Sequence, residues 1–116
     1  MLSIKLSRRF FKDLKKLRKK FYKIEEDLDA LFSLLRKGSI VGNMIRDLGD
    51  LEIYKARVRN ISGDSGKSGG FRVIYYVKIK NDDESDIVAL AIYSKSQRTN
   101  ISKKEIVEIL ENENLI

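Results

Sequence analysis

The sequence predicts an α+β fold in which an N-terminal strand and a helical hairpin pack on one face of a mainly antiparallel sheet of about four or five strands. Three patterns predict it. Two apolar stripes with helical spacing follow a short alternating segment near the N-terminus. Three strand-like segments come next, and a capping box, Ser102 to Glu105, opens a short C-terminal helix. The 116 residues suit a single domain that spans residues 1–116.

The N-terminal third predicts a strand followed by two helices. Residues 2–6 alternate between apolar and polar side chains, which is typical of a short strand. Ser7 is the expected N-cap of a first helix that runs to about Lys20. A second helix follows, with acidic residues in its first turn and Gly38 as its expected C-terminal stop. The two helices form the predicted hairpin.

The remainder of the chain predicts the strands of the sheet. Residues 39–50 form a connector with little regular structure, and strands are expected at 51–59, 71–79 and 86–95. Helices are expected on one face of this sheet, with the other face open. The last strand has two alternating sets, of which the larger apolar set is expected on the core side. They are Val88, Leu90 and Ile92 on the core side, and Ala89, Ala91, Tyr93 and Lys95 on the open side.

The composition limits the classes of function. The formal charge of +7 and the pI near 9.6 indicate a polyanionic partner. The chain has no cysteine and no histidine, which excludes disulfides and argues against a zinc site, so we expect neither a metal nor a cofactor. Because no apolar run is long enough for a membrane span and the N-terminus does not resemble a signal peptide, we expect a cytoplasmic protein without a membrane partner.

Many of the cations lie in the first predicted helix. They are Arg8, Arg9, Lys12, Lys15, Lys16, Arg18, Lys19 and Lys20. One interpretation is an amphipathic helix with a lysine-rich solvent face. The other is a long-range attraction for RNA or for an acidic partner, and the two are compatible.

Alternation also places cations on one face of two consecutive strands. A glycine-rich loop, residues 60–70, joins the two strands. In the strand before this loop, alternation puts Lys55, Arg57 and Arg59 on one side. In the strand after the loop, the polar face carries Arg72, Ile74, Tyr76 and Lys78. If the two strands pair antiparallel, the cations of both collect on one surface with an aromatic side chain beside them. Such a surface is suited to phosphate groups and nucleobases.

A cationic surface without histidine has a route to RNA cleavage. Arginines neutralise the charge that builds on the scissile phosphate while a general base takes the proton of the 2′-hydroxyl, which then attacks in line. Lys55 is one candidate for the general base, provided that neighbouring cations keep part of it neutral. Tyr93 or Tyr76 is the alternative, either as the acid or base or as a platform for a nucleobase.

Three segments of this region carry a resemblance to a known family. They are residues 53–58 (IYKARV), 66–76 (GKSGGFRVIYY) and 92–95 (IYSK). With a helical hairpin before them and a helix after them, the chain resembles the RelE/ParE superfamily of bacterial toxins and, within it, the HigB/RelE-like branch. The resemblance covers nearly the whole chain, and the glycine-rich run is its most specific part.

The resemblance implies a toxin of a type II toxin–antitoxin pair. Such toxins usually enter the A site of the ribosome and cut mRNA there without a metal, leaving a cyclic phosphate. The implied activity is therefore that of a ribosome-dependent endoribonuclease, an mRNA interferase that inhibits translation. The implied partners are the ribosome, mRNA and a cognate antitoxin, expected to be a small helix-turn-helix protein.

The resemblance also implies site residues. The catalytic set is Lys55, Arg57, Arg72, Tyr93 and Lys95. The strand faces and the neighbouring loops add a predicted RNA-binding set, which is Arg59, Lys67, Tyr76, Lys78 and Arg98, and no metal ligand is expected. The chain departs from the family pattern at two places. The catalytic tyrosine that RelE carries in its C-terminal segment falls at Ile101 or Ser102, and an arginine expected after the last strand falls at Ser96, with Arg98 close enough to serve.

Two other functions fit the same residues. A ParE-like toxin would inhibit gyrase by binding and would need no nucleolytic chemistry. A non-catalytic RNA-binding module would use the cations for affinity alone. Substitution of Arg72 by alanine separates a catalyst from a binder, because the catalyst loses rate and the binder loses affinity.

Overall fold

The computed structural model describes residues 3–61, 69–82 and 84–116. The N-terminal elements are β1 (Ser3–Leu6), α1 (Arg8–Arg18) and α2 (Ile24–Arg36). The next elements are β2 (Asn43–Met44), β3 (Ile53–Val58), β4 (Phe71–Ile79), β5 (Ser85–Ser94) and α3 (Lys103–Asn112). The predicted α+β fold is confirmed, and the element boundaries lie close to those that the sequence predicts. No described helix has the length and apolar character of a membrane span.

The described strands form one mixed sheet in the order β1-β5-β4-β3-β2. β1 runs parallel to β5, and every other pair is antiparallel. The connector predicted for residues 39–50 holds the two-residue edge strand β2, which pairs with β3. The long central strands β3, β4 and β5 therefore lie side by side, and their register decides which side chains meet.

The helical hairpin covers one face of the sheet. Ser7 caps α1 as predicted, because its hydroxyl accepts a hydrogen bond from the Phe10 amide at 3.0 Å. The buried side chains of α1 and α2 pack against the predicted apolar sides of β3 and β4. Tyr75 lies in this layer, fully buried, and its hydroxyl donates a hydrogen bond to the Val41 carbonyl at 2.5 Å. This layer is the main core.

The opposite face is not open, which corrects the expectation from sequence. Ile106, Ile109 and Leu110 of α3 are buried in a second apolar cluster with Ile74 and Leu90 of the sheet. The reason is the apolar stripe of α3, which must leave water and finds uncovered sheet surface within reach of a short connection. The middle parts of β4 and β5 are consequently buried on both sides.

Strand β5 departs from simple alternation. The register with β4 passes from Tyr75↔Ala89 to Ile74↔Ala91 and leaves Leu90 without a counterpart, which is a β-bulge. Leu90 and Ala91 therefore both face α3, whereas Ala89 and Ile92 face the hairpin. The predicted positions of Val88, Ala89 and Leu90 are wrong for this reason, and those of Ala91, Ile92 and Tyr93 are confirmed.

Candidate functional site

Register brings three of the predicted site residues onto one surface. Arg57 of β3 lies directly opposite Arg72 of β4, and Arg72 lies opposite Tyr93 of β5. Directly opposed residues of neighbouring antiparallel strands share a face, so these three side chains form a row across the sheet. Lys55 lies two residues before Arg57 on the same face. The predicted convergence of cations on one face is confirmed, and we call this row with Lys55 the cationic row.

The two arginines are held differently. The guanidinium of Arg72 donates hydrogen bonds to the carbonyls of Gly69 at 3.0 Å and Phe71 at 3.2 Å, which fixes it at the start of β4. Arg57 is exposed, and no ion pair joins it to any residue in the described ranges. Two like charges directly opposite each other destabilise a sheet unless an anion joins them. The pair is therefore suited to bind a phosphate.

Tyr93 sits beside Arg72 with its side chain nearly enclosed, at 7 % exposure. Its hydroxyl has no hydrogen-bond partner among the described residues, which is uncommon for a buried polar group. Burial raises the pKa of this phenol, and the charges of Arg72 and Arg98 offset that rise only in part. Tyr93 is therefore protonated near neutral pH, and its hydroxyl keeps an unused hydrogen-bond donor.

Two further predicted residues, Lys95 and Arg98, meet Lys55 at the segment that follows β5. The Lys55 ammonium lies 3.5 Å from the Asn100 side-chain oxygen, and the Lys95 ammonium donates to the Thr99 carbonyl at 2.9 Å. Arg98 donates to the Asn100 carbonyl at 2.6 Å. Residues 95–100 thus lie beside the cationic row and bring Lys95 and Arg98 toward it. Asn100 was not predicted, since a single polar residue in a connector gives no pattern to find.

Arg98 also joins α3 to the site through an acidic residue. Its guanidinium pairs with the Glu105 carboxylate, and Arg9 of α1 lies 3.5 Å from the other oxygen of the same group. Burial raises the pKa of Glu105, but the hydrogen bond and charge of Arg98 outweigh that effect and lower it overall. The sequence identifies Glu105 only as the partner of the Ser102 cap, which the structure confirms. Its contact with Arg98 depends on tertiary packing that no local pattern encodes.

Tyr76 and Lys78, two of the other predicted RNA-binding residues, lie apart from the cationic row. Tyr76 is opposite Ile53 and packs against the second core, about 13 Å along β4 from Arg72. Lys78 is exposed at the far end of β4, opposite Asp86. Arg59 is exposed just beyond the end of β3. Lys67 lies outside the described residues.

Gly70 permits the close approach of β3 and β4 on which the register of the arginines depends. Its φ is +72°, and a Cβ at this position would lie 2.3 Å from the Val58 carbonyl oxygen. Its own carbonyl accepts a hydrogen bond from the Lys95 amide at 3.0 Å. Any side chain here would strain the backbone and separate the strands where Arg72 begins to face Arg57.

Within residues 3–61, 69–82 and 84–116, no three acidic side chains cluster as metal ligands would. The cationic row and the segment beside it carry guanidinium, ammonium, amide and phenol groups. These groups bind an anion, neutralise charge on it and donate or accept protons.

Comparison with protein families gives a match over most of the chain. Residues 4–99 match the model of a family described as "ParE toxin of type II toxin-antitoxin system, parDE". The matched range includes β1 except Ser3, every element from α1 to β5, and the whole cationic row. Searches among curated proteins and among solved structures found no significant match.

Proposed function

Because the chain belongs to the ParE toxin family, within the RelE/ParE superfamily, it is the toxin of a type II toxin–antitoxin pair, and we propose that it acts as a ribosome-dependent endoribonuclease. The observation that carries the proposal is the row of Arg57, Arg72 and the unpartnered hydroxyl of Tyr93 on three adjacent strands. A surface that only binds protein has no need for a buried phenol beside a pair of opposed arginines. The placement in the HigB/RelE-like branch stays a prediction.

The proposed reaction needs no metal ion. Arg57 and Arg72 bind the non-bridging oxygens of the scissile phosphate and neutralise the charge that develops there. The 2′-oxygen attacks the phosphorus after its proton passes to a general base, and the bond to the 5′-oxygen breaks. The products are a 2′,3′-cyclic phosphate and a free 5′-hydroxyl, so protons and charge balance.

Acid and base roles follow from position. Tyr93, protonated and beside Arg72, donates a proton or a hydrogen bond to the leaving 5′-oxygen. Lys55 is the proposed base, because it lies on the same face two residues from Arg57 and contacts only an amide oxygen among the described residues. Lys95 and Arg98 hold the flanking backbone of the RNA.

A second candidate function is inhibition of gyrase, which the ParE description of the family favours. In that case the arginines would bind an acidic surface of the enzyme, and Tyr93 would have no chemical role. The two functions make opposite predictions for the same purified protein, so one paired experiment separates them.

The experiment compares the wild-type toxin with Arg57→Ala/Arg72→Ala and with Lys104→Ala, which removes an exposed cation of α3 outside the site. Each protein is added to ribosomes that carry a defined mRNA, and separately to a gyrase supercoiling assay. We expect truncation of the message near the A site by the wild type and by Lys104→Ala, none by the double variant, and normal supercoiling throughout. An intact message together with blocked supercoiling would establish gyrase inhibition instead.

The family implies a cognate antitoxin as a partner. We propose a small helix-turn-helix protein that covers or displaces elements around the cationic row. The ribosome and mRNA are the other proposed partners, which places the activity in the cytoplasm. Titration of the purified antitoxin into the cleavage assay tests the proposed neutralisation. We expect cleavage to be lost at a stoichiometric ratio of antitoxin to toxin.

A further inference from the structure

The bulge in β5 decides the face on which Tyr93 lies. From Ile87 to Leu90 the side chains alternate between the hairpin and α3, with Leu90 facing α3. Unbroken alternation would turn Ala91 to the hairpin, Ile92 to α3 and Tyr93 back to the hairpin. The extra residue reverses this order, so that Tyr93 faces α3 and lies opposite Arg72. Without the bulge the phenol would point away from the cationic row.

The bulge is held from outside the sheet by the start of α1. Pairing between β1 and β5 ends at Leu6↔Ala89, so the edge of β5 beyond Ala89 has no neighbouring strand among the described residues. Two polar side chains, one from α1 and one from its N-cap, form hydrogen bonds with the backbone groups of that edge. The buried hydroxyl of Ser7 donates to the Leu90 carbonyl at 2.8 Å, and the Asp13 carboxylate accepts from the Ile92 amide at 3.1 Å.

These contacts bracket the bulge on both sides and are themselves supported. The same Ser7 hydroxyl accepts from the Phe10 amide, so the cap of α1 and the bulge share one group. The second oxygen of Asp13 accepts from Arg9 at 2.9 Å, which fixes the carboxylate toward the strand. β5 therefore cannot shift its register at Ile92 without breaking a charge-assisted hydrogen bond between the Ile92 amide and the partly buried carboxylate of Asp13.

We infer that Ser7 and Asp13 are positioning residues that hold the bulge of β5 and thereby keep Tyr93 on the face of Arg72. The orientation of Tyr93 follows from the contacts alone, whereas its catalytic consequence rests on the proposed function. The local sequence around Tyr93 does not predict this arrangement, because Ser7 and Asp13 lie about 80 residues before the strand residues that they contact.

The orientation is measured directly with 3-fluorotyrosine and fluorine NMR. The chain has five tyrosines, and Tyr93→Phe assigns the signal of interest. In the wild type we expect a small solvent isotope shift for Tyr93 and a large one for Tyr22, which is 78 % exposed. Asp13→Ala should move the Tyr93 signal to a new chemical shift that no longer responds to Arg72→Ala, because the phenol leaves the face of Arg72. Asp13→Asn, which keeps an acceptor for the Ile92 amide, and Asp29→Ala, which removes an exposed carboxylate of α2, should keep the wild-type chemical shift.

A wild-type signal for Tyr93 in Asp13→Ala would overturn the inference. If that variant does not fold, hydrogen exchange of the wild-type protein decides. We expect the Ile92 amide to exchange as slowly as amides inside the β4–β5 ladder, since it is bonded to Asp13. Exchange at the rate of a free edge amide would contradict the proposed role of Asp13 in holding the bulge.

The catalytic consequence has a separate measurement. Asp13→Ala should lower kcat for RNA cleavage by about tenfold to a hundredfold at nearly unchanged KM, because a misplaced donor affects the transition state more than binding. Added to Tyr93→Phe, it should produce no further loss, since both act through one hydroxyl. If the wild type does not cleave RNA, the NMR and exchange results still decide the positioning role, so the two failures are distinguishable.

Discussion

The two faces of the sheet are built from the same strands and are used differently. The hairpin face is apolar along its whole length and is covered by α1 and α2. The other face is divided: α3 covers an apolar part that includes Ile74 and Leu90, and the cationic row occupies the end next to the glycine-rich loop. A short helix thus closes part of a face and leaves an end whose charges are available to a ligand.

The difference between the two faces shows how a basic protein of this size combines stability with a candidate anion site. Opposed arginines repel each other, so they are tolerated where other contacts determine the pairing of the strands. Here the main core determines how β3 and β4 pair, because Ala56 and Val73 lie opposite each other on the hairpin face of these strands. This separation of stability from anion binding leads to four testable predictions.

The first prediction compares the cores on the two faces. Phe10→Ala should lower the free energy of unfolding by about 3–5 kcal/mol, because Phe10 is fully buried in the main core. Ile106→Ala should lower it by less, about 2–3 kcal/mol, since α3 is a terminal helix that can undock locally. Chemical denaturation measures both. Equal losses would show that α3 is as integral to the fold as the hairpin.

The second prediction compares the two ends of the divided face. Arg72→Ala should reduce RNA cleavage by about a hundredfold to a thousandfold, the range for loss of one donor to a developing anion. Lys78→Ala, on the same strand at the other end, should reduce it only a few fold. Single-turnover rates on programmed ribosomes give both values. A loss in affinity without a loss in rate for Arg72→Ala would indicate a binder instead of a catalyst.

The third prediction concerns the end of the sheet where charge is neutralised internally. Asp86 is buried, and a hydrogen bond from Ser3 lowers its pKa, against the effect of burial and with help from Lys80 and Lys5. A carboxyl with a lowered pKa stabilises the fold above its unfolded pKa and loses that contribution as the pH falls through its native pKa. Asp86→Asn should therefore destabilise the protein by about 1–3 kcal/mol at pH 7.

The pH dependence provides the control for that variant. The difference in unfolding free energy between wild type and Asp86→Asn should shrink as the pH falls below about 4, because the wild-type carboxyl becomes protonated as well. Urea denaturation at pH 7 and at pH 3 measures it. A difference that is constant over this range would mean that shape, and not charge, is what Asp86 contributes.

The fourth and smallest prediction concerns the rim of the cationic row. Lys95 is exposed and bonds only to the Thr99 carbonyl among the described residues. Lys95→Ala should weaken RNA binding a few fold and reduce the slope of log affinity against log salt by about one. Binding of a short RNA measured at several salt concentrations tests this. An unchanged slope would place Lys95 outside the RNA path.

Much of this arrangement could be predicted from the sequence because it follows from local patterns. Ser7 and Ser102 mark helix starts, and alternation in β3 and β4 places Lys55, Arg57 and Arg72 on one face. Each pattern reports a backbone periodicity, and the two strands are joined closely enough to pair.

The remainder depends on contacts between distant parts of the chain. The bulge at Leu90 shifts the alternation of β5, and its supports Ser7 and Asp13 come from the start of the chain. The covering of the second face by α3 depends on the route of the segment before it. The pairing of Glu105 with Arg98 follows from that route, so neither could be predicted before the fold was known.

The most direct test of the central claim is the chemical nature of the 3′ end that the toxin leaves on ribosome-bound mRNA. If the cationic row stabilises attack by the 2′-hydroxyl, the wild type leaves a 2′,3′-cyclic phosphate, and a message with a 2′-deoxy nucleotide at the cleavage site remains intact. Cleavage of the deoxy message, or a 3′-hydroxyl end, would contradict the account.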